Sequence, residues 1–406
     1  MNILSVNKFY WNKGGSEAVF FGEKELLENN GHTVIPFSMK SGNNLPSVYS
    51  EYFVENVDYD SRKLTDKLSA ASKIIYSFDA RNKIKLLLNE HNIDLAHFHI
   101  FQHQISPSVF GPLRKRNIPI VLTLHDLKPM CPNYKMYVNG HTCEKCKGKR
   151  FYHCFLNSCT KGSRLNSLIN TAEMYLHYAL GYYQSVDKYI AVSHFFERKM
   201  IEFGFKREQI SYIPNFIDIE EYPESPNDNN YVVYFGRLSY EKGVDTLIRA
   251  AQLCPDIPVV IIGTGPDEQM LKKIVEENNI SNIEFTGYKQ GSELKQIISN
   301  SSFTVLPSVV YENCPMGILE SFALGKAVIG SAIGGIPELI NPSVDGLTYT
   351  AGDSEGLATQ MRTLWENTNT RREMGHEGRK KIAEHFTPKN HYIKLAEVYQ
   401  DVLSKE

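Results

Sequence analysis

Short apolar segments alternate with helical patterns along the whole chain, and this alternation is what most constrains its fold. Segments of four to eight β-forming residues separated by longer helices predict βαβ units and parallel sheets. The sequence therefore predicts an α/β fold. The expected strands are residues 3–6, 33–36, 95–98, 120–124, 232–235, 259–262, 283–285, 303–306 and 327–330, and clear helical patterns cover 17–29, 243–252 and 267–278.

The length of 406 residues is long for a single core, so two domains are expected. The alternation occurs twice, with a break near residues 213–215 and a polar stretch at 221–230. We predict two Rossmann-like domains, 1–213 and 214–388, with a ligand cleft between them. Residues 389–406 are predicted to form a final helix.

Charge and composition exclude several classes of protein. The chain has 44 Lys and Arg against 46 Asp and Glu, which is not the balance of a nucleic-acid-binding protein. It contains no apolar run of about 18 residues, so no membrane span is predicted. The first residues lack the features of a signal peptide, which predicts a cytoplasmic location. Seven cysteines there are better interpreted as thiols or metal ligands than as disulfides.

Two carboxylates in residues 311–320 give the strongest functional signal. Glu312 follows an apolar strand and Glu320 falls in a helical pattern, and a Pro-Met-Gly turn separates them. The amides of Met316, Gly317 and Ile318 lie where that helix begins, a favourable place for an anion. The arrangement predicts a phosphorylated, hydroxyl-rich ligand such as a nucleotide sugar. Two solvated surface glutamates are the alternative.

Three glycine-containing turns also follow predicted strands. Arg237 and Lys242 bracket the first, after 232–235, where two cations suit a diphosphate. Gly263 belongs to the second, which is not a complete dinucleotide fingerprint. Gly14 and Gly15 open a helix after the first strand and would let backbone amides approach an anion.

Histidines and acidic residues give weaker signals. His125 ends the strand 120–124 and is expected to face a ligand. His97, His99 and His103 are interpreted as either metal ligands or structural residues, with the structural role favoured. Asp58 and Asp60 form a D-x-D in a polar stretch without a nucleotide motif, so we predict no catalytic Mg²⁺ or Mn²⁺.

A cysteine-rich insertion covers residues 131–164. A C-x-x-C pair with further thiols nearby suggests a structural zinc ion. We favour Cys131, Cys143, Cys146 and Cys159 as ligands, with Cys154 as a near-equal substitute for Cys131, and metal-free thiols as the alternative. The insertion is basic and precedes a helical segment at 165–183, which predicts either contact with an anionic membrane or packing within the first domain.

Residues 311–320 resemble the E-x7-E motif of family 4 retaining glycosyltransferases, which have the GT-B fold. The resemblance is strongest over residues 231–346. It implies that Glu320 holds the donor ribose and that Glu312 contacts the transferred sugar. It also implies that the positions between them bind sugar hydroxyls and phosphate, namely Asn313, Met316, Gly317 and Ile318.

The resemblance extends to the other motifs. It implies that Arg237 and Lys242 stabilise the diphosphate, and that Gly14, Gly15 and Gly263 lie near the donor. It gives His125 a contact to the transferred sugar, and it implies that the last helix, 389–406, crosses back to the first domain. Phe216 departs from the family, where glycine is common at this position.

The expected activity is transfer of a sugar from a nucleotide diphosphate sugar, with retention of configuration and without a metal ion. A UDP-sugar is favoured and a GDP-sugar possible. The expected acceptor is a glycan or lipid-linked oligosaccharide of a surface polysaccharide, at the inner face of the membrane. The alternatives are a GT-B nucleotide-sugar epimerase and a non-catalytic protein that binds carbohydrate or a partner.

Overall fold

The structure is a computed structural model that describes residues 1–56, 74–225 and 227–404. Asp58 and Asp60 lie outside the described residues. The chain divides into two compact units, one of residues 1–213 together with those from 392 onward, the other of residues 214–391. Each unit contains a six-stranded sheet whose neighbouring strands are all parallel.

The first unit orders its sheet β2-β1-β3-β4-β7-β8, and a two-stranded hairpin, β5-β6, lies in the cysteine-rich insertion. Its strands are β1 (Asn2–Val6), β2 (Thr33–Phe37), β3 (Leu95–Phe98), β4 (Ile120–Leu124), β5 (Tyr137–Val138), β6 (His141–Thr142), β7 (Lys188–Ala191) and β8 (Ile210–Tyr212). Its helices include α1 (Gly15–Asn29), α2 (Phe78–Glu90), α3 (Phe110–Arg114), α4 (Tyr152–Leu156), α5 (Arg164–Ala179) and α6 (His194–Glu202).

In the second unit the strand order of the sheet is β11-β10-β9-β12-β13-β14. The strands are β9 (Val232–Phe235), β10 (Val259–Ile262), β11 (Ile283–Gly287), β12 (Phe303–Leu306), β13 (Val328–Ser331) and β14 (Gly346–Tyr349). The helices include α7 (Val244–Gln252), α8 (Glu268–Glu277), α9 (Gly291–Ser299), α10 (Met316–Ala323), α11 (Ile336–Leu339), α12 (Ser354–Glu366) and α13 (Thr368–His385).

The apolar segments became strands because parallel sheets are covered on both faces. All five residues of β4 are buried, as are all four of β12. Such continuous burial is typical of strands with helices on each side. The helices supply the matching faces, as in α7, where Val244, Leu247 and Ile248 are buried against the sheet.

Five strands were not predicted from the sequence: the hairpin strands β5 and β6, and three strands of the six-stranded sheets, β7, β8 and β14. The strand β7 begins at Lys188, whose side chain reaches out to an ion pair with Asp401. The strand β8 has only three residues, and β14 begins with a glycine. Weak local signals of this kind are outweighed by pairing with an established neighbour, β4 for β7 and β13 for β14.

The last helix, α14 (Pro388–Leu403), contributes its residues from Tyr392 onward to the first unit. The Tyr399 side chain is fully buried there, and its hydroxyl lies 2.8 Å from Nδ1 of His97 in β3. Asp401 completes the ion pair with Lys188 at 2.8 Å. The first unit is therefore built from the two ends of the described chain.

Candidate active site

The second unit has a topological switch point, the place where strand order reverses. The order 3-2-1-4-5-6 puts β9 beside β12, although β10 and β11 lie between them in sequence. Ligands of open α/β sheets bind beyond the carboxyl ends of strands at such a point. Arg237 and Lys242 follow β9 and Glu312 follows β12, so the switch point gathers the residues that the sequence motifs singled out.

A salt bridge joins the two loops at the switch point. Lys242 Nζ lies 2.6 Å from Glu312 Oε1, and the Ser308 hydroxyl donates to the same oxygen at 2.7 Å. Both charged side chains remain partly exposed. Arg237 is exposed on the same loop, where its carbonyl accepts a hydrogen bond from Tyr234 at 2.9 Å. The arrangement presents cations to solvent while it fixes one carboxylate.

Glycines allow the loops to approach one another. Gly263 has φ of 133°, and a Cβ atom there would overlap the Gly236 carbonyl oxygen. Gly334 has φ of 62°, and a Cβ would overlap the backbone of Glu312, whose carbonyl accepts from the Gly335 amide at 2.8 Å. Only glycine meets both requirements at these positions.

The helix α10 begins directly after Pro315, as expected for its first-turn amides to point at a ligand. The Ile318 amide donates to the Pro315 carbonyl at 3.1 Å. The Asn215 side-chain amide donates to the Cys314 carbonyl at 2.7 Å and anchors the turn. Gly317 lies against the Phe235 ring, because a Cβ at this position would be 3.5 Å from it.

Glu320 lies in the middle of α10 and is partly exposed. Burial by the surrounding protein raises the pKa of its carboxyl to about 7, and the nearby Lys295 ammonium opposes that rise. Lys295 also lies 3.9 Å from the Tyr222 ring centre. The carboxyl therefore changes charge near neutral pH, in the position where the motif predicts a hydroxyl contact.

In the first unit, His125 follows β4 and is partly buried. Its Nε2 lies 3.0 Å from Nδ1 of His99, and the two rings are stacked. Burial lowers the pKa of His125 to about 4, although the Glu23 carboxylate opposes the change. His125 is therefore neutral at neutral pH and can serve as a hydrogen-bonding group.

Gly14 and Gly15 are exposed where α1 begins. Near them lie charged residues to which the sequence motifs assigned no role. The Glu17 carboxylate accepts from Ser16 at 3.1 Å, and burial raises its pKa. Burial also lowers the pKa of Lys8, opposed by Asp126 and Glu17. The glycine turn therefore lies over a cluster of mixed charge.

Within the described part of the chain, one group of three His, Cys, Asp or Glu residues brings its ligand atoms within 4.8 Å of one another: Glu23, His97 and His99. All three are buried. The sequence contained a signal for Glu23, because it lies four residues from both Val19 and Leu27, on the apolar face of α1. A carboxylate in that stripe marks a buried polar site.

The five cysteines of the insertion lie on loops and short elements, from Cys131 before the β5-β6 hairpin to Cys159 just after α4. All are free thiols; Cys131, Cys146 and Cys154 are buried, and Cys143 and Cys159 are partly exposed. A hydrogen bond from Cys159 lowers the pKa of Cys154 to about 7. Burial raises the pKa of Cys131 to about 12. Among the described residues, three sulfurs do not converge within 4.8 Å.

The helix α5 buries polar residues and exposes apolar ones, which is the reverse of an ordinary surface helix. Its inner face carries polar groups, among them Glu173, which is fully buried and bonds Lys128 Nζ at 2.6 Å. Its outer face carries exposed apolar side chains, Leu165, Leu168, Tyr175, Leu176 and, just beyond the helix, Leu180. No described helix is long and apolar enough to cross a membrane.

Sequence reasoning missed several neighbours of the candidate site. Ser308 precedes Glu312 by four residues, and Tyr222 and Lys295 come from distant segments. No local pattern could have found Tyr222 and Lys295, because tertiary packing alone brings them near Glu320.

Two Rossmann-like units, one with paired charges at its switch point, are the architecture of glycosyltransferases of the GT-B fold, and this is the class of the protein. The chain belongs to glycosyltransferase family 4. The profile described as Glycosyltransferase Family 4 matches residues 13–221, and the profile of Glycosyl transferases group 1 matches residues 216–381.

Two individual relatives are named as glycosyltransferases, and a solved structure shares the fold. The chain is 25% identical over 331 residues to an uncharacterized glycosyltransferase of Methanocaldococcus jannaschii, covering 81% of both chains. It is 25% identical over 225 residues to the amylovoran biosynthesis glycosyltransferase AmsK of Erwinia amylovora, covering 52% of this chain and 55% of that one. The structure of Anabaena HepE in complex with UDP-glucose matches with a TM-score of 0.69 and 18% identity, covering 99% and 100% of the two chains.

Proposed function

We propose that the protein is a retaining hexosyltransferase that moves a sugar from a nucleotide diphosphate sugar to a glycan or lipid-linked oligosaccharide. The observation that carries this proposal is the Lys242–Glu312 salt bridge at the switch point of the second unit. It places a cation and a carboxylate at the carboxyl ends of β9 and β12, beside the start of α10. A diphosphate and a sugar require charges of these two signs.

Lys242 and Arg237 are proposed to bind the diphosphate and to stabilise it as it leaves. Preorganised cations aimed at developing negative charge lower the barrier without reorganisation. Lys242 has three N–H donors, so a diphosphate can accept from it while Glu312 holds its position. These two cations would take the charge role of a divalent ion, which is why we propose metal-independent transfer.

Glu312 is proposed to contact the transferred sugar near the reacting carbon, where its carboxylate stabilises developing positive charge. The leaving phosphate oxygen would accept the acceptor proton on the same face, which gives retention. The hydrogen bond from Ser308 keeps one Glu312 oxygen occupied. The other oxygen is then the one offered to the sugar.

Glu320 is proposed to accept hydrogen bonds from the ribose hydroxyls. The amides of Met316, Gly317 and Ile318, with Asn313 and Gly263, would bind phosphate and sugar hydroxyls. Because the Ile318 amide already donates to Pro315, the two amides before it are the better placed donors. In the first unit, Gly14, Gly15 and His125 are proposed substrate contacts.

A UDP-sugar is the favoured donor, and a GDP-sugar is the second choice. The structural relative HepE is described as a complex with UDP-glucose, which supports uridine. The AmsK relative is named for amylovoran biosynthesis, which supports an acceptor in surface polysaccharide assembly. Cytoplasmic action at the inner face of the membrane is part of the same proposal.

A thermal-shift series tests the donor site. Melting temperatures would be compared without ligand and with UDP, GDP, ADP and their common sugars, all in EDTA. Ligands that bind the native state raise the melting temperature. We expect a shift with UDP that Glu320→Ala abolishes. If no nucleotide shifts the melting temperature of the native chain, the donor-site assignment is wrong.

Donor turnover with and without acceptor separates transfer from epimerisation. We expect sugar to leave UDP only when a glycan acceptor is present. Conversion of UDP-sugar to its isomer without acceptor would instead identify an epimerase.

A structural zinc ion on the insertion is proposed, with Cys131, Cys143, Cys146 and Cys159 as ligands. Four thiolates at 2.3 Å from zinc lie about 3.8 Å apart, so the sulfurs would have to move closer than they are here. The lowered pKa of Cys154 makes it a candidate in place of Cys131. Metal analysis of the native chain and of the Cys143→Ser/Cys146→Ser variant tests the proposal, which fails if both hold the same amount of zinc.

Contact with an anionic membrane is proposed for the outer face of α5. Its exposed leucines follow the basic residues of the insertion along the sequence, a combination typical of a helix that lies in a membrane interface. Co-sedimentation with anionic vesicles should fall for Leu168→Glu/Leu176→Glu. The control is Leu86→Glu, which alters an equally exposed leucine on α2. Equal sedimentation of both variants and the native chain would refute the contact.

A further inference from the structure

We propose that Glu23, His97 and His99 form a buried binding site for one divalent transition-metal ion, with zinc as the best chemical fit. The site lies in the first unit, apart from the cysteine-rich insertion. It is distinct from the donor site in the second unit and does not depend on the proposed activity.

The distances from the Glu23 carboxylate to the two imidazoles suit a tetrahedral ion. Glu23 Oε2 lies 3.5 Å from His97 Nδ1 and 3.4 Å from His99 Nε2. Ligand atoms bound to zinc at 2.0–2.1 Å in a tetrahedron are roughly 3.3 Å apart. The observed separations are longer than ordinary hydrogen bonds and close to this value.

The outer nitrogens of both imidazoles have polar partners. His97 Nε2 lies 2.7 Å from the Thr123 hydroxyl, and His99 Nδ1 lies 3.0 Å from His125 Nε2. In metal sites such contacts fix the tautomer and turn the other nitrogen toward the ion. Here the inner nitrogens of both rings face the Glu23 carboxylate.

A fourth possible ligand, a hydroxyl oxygen, is close by. The Tyr399 hydroxyl lies 2.8 Å from His97 Nδ1, the nitrogen that the ion would take. Metal binding would replace this hydrogen bond, and a small shift would bring the hydroxyl oxygen to the open position of the ion. The four groups come from α1, the end of β3 and α14, so the ion would join three elements.

Charge and ligand type favour a transition metal over calcium or magnesium. A buried carboxylate needs a compensating positive charge. Two imidazole nitrogens are poor ligands for the hard cations and good ligands for zinc and its neighbours. The competing arrangement is a metal-free network in which a proton on an imidazole supplies the charge.

Metal analysis of the full chain tests the site. The protein would be produced without a metal-affinity tag in zinc-supplemented medium, as the Cys143→Ser/Cys146→Ser variant so that the thiol pair contributes nothing. We expect about one zinc per chain. Adding Glu23→Gln, which keeps the side-chain shape, should reduce zinc at least tenfold, and so should His99→Asn.

The matched control is His141→Asn in the same background, because His141 is exposed on β6. Circular dichroism and melting temperature would show that each variant is folded. If His99→Asn does not fold, the isosteric Glu23→Gln variant still decides the question. A folded parent variant without zinc, or zinc retained in Glu23→Gln, would refute the site and support the proton-only network.

Cobalt substitution identifies the ligands independently of activity. Co²⁺ at a site of nitrogen and oxygen ligands gives visible absorption without the thiolate charge-transfer bands of a cysteine site. We expect the parent variant to show visible absorption without thiolate bands, and we expect Glu23→Gln to lose that absorption. Thiolate bands in the parent variant would place the ion on the remaining cysteines instead and would contradict the proposal.

Discussion

At the scale of single residues, the candidate site depends on two carboxylates in unlike surroundings. Glu312 is held by a salt bridge and a hydroxyl, whereas burial raises the pKa of Glu320 to about 7. Their different surroundings therefore give the two carboxyl groups different roles, as is common for paired carboxylates. Substitution of Lys242, the salt-bridge partner of Glu312, tests the first, and substitution of Glu320 tests the second.

Replacing Lys242 by methionine should reduce sugar transfer by about 10²–10³, the usual cost of removing one preorganised charge contact. Stability should change by no more than about 1 kcal/mol, because the salt bridge is partly exposed. Initial rates and chemical denaturation measure the two effects. Lys272→Met is the control, since Lys272 pairs with Glu268 on the surface of α8. Near-normal turnover in Lys242→Met would contradict the assignment.

Glu320→Gln should change how stability depends on pH. Burial raises the folded pKa of Glu320 to about 7, above its ordinary value of 4.5. A raised pKa means that its contribution is present below pH 4.5 and is lost as the pH rises through 7. The melting temperature of the variant should therefore rise relative to that of the native protein between pH 5 and pH 8. A constant difference across this range would show that Glu320 does not titrate there.

The same variant should bind UDP weakly at every pH. The native affinity should rise as Glu320 loses its proton, because a carboxylate accepts two ribose hydroxyls better than a carboxylic acid does. Calorimetric titrations of both proteins with UDP at pH 6 and pH 8 make the comparison, and the variant corrects for the titration of the nucleotide itself. If the UDP affinity of both proteins depends equally on pH, Glu320 does not contact the ribose.

At the scale of elements, turns at the ends of β9, β10 and β12 decide the geometry of the donor site. Gly263→Ala should destabilise the protein by more than Gly287→Ala. Both glycines have positive φ, but only at Gly263 does a Cβ meet a neighbouring backbone. The cost of the Gly287 change should be about 1–2 kcal/mol from backbone strain alone. Denaturation curves and UDP binding would show whether Gly263→Ala also weakens the site.

Much of this level could be predicted from the sequence. The strands β3, β4, β9, β10 and β12 were predicted with their observed bounds, because each is a continuous apolar run between turn residues. The short edge strands β8 and β14 were not, since their local signals are weak. The helix α5 was predicted, but its inverted burial was not, because the identity of its outer leucines gives no hint that Glu173 lies inside.

The candidate active site could likewise be predicted only in part from the sequence. Local motifs identified Arg237, Lys242, Glu312 and Glu320, because each lies next to a strand end or helix start. The sequence could not show that Lys242 meets Glu312, since that contact depends on β9 lying beside β12. The environment of Glu320 depends on Lys295, which comes from another helix.

At the scale of the whole molecule, the first unit requires residues from both ends of the described chain. A chain that stops after His391 lacks Tyr399 and Asp401, and hence the partners of His97 and Lys188. We expect its second unit to fold and to keep UDP binding, while amides of the first unit exchange rapidly in hydrogen-exchange measurements. A chain that stops after Ser404 is the control. Equal protection of the first unit in both would show that α14 is dispensable.

The return of α14 to the first unit also has a consequence for synthesis on the ribosome. The first unit is translated first but receives its buried Tyr399 last, after the entire second unit has emerged. At 5–20 residues per second, the intervening segment takes roughly 10–40 s to make. During that interval the first unit still lacks α14 and is open to chaperones and to aggregation, so the half of the protein encoded second is the half expected to mature first.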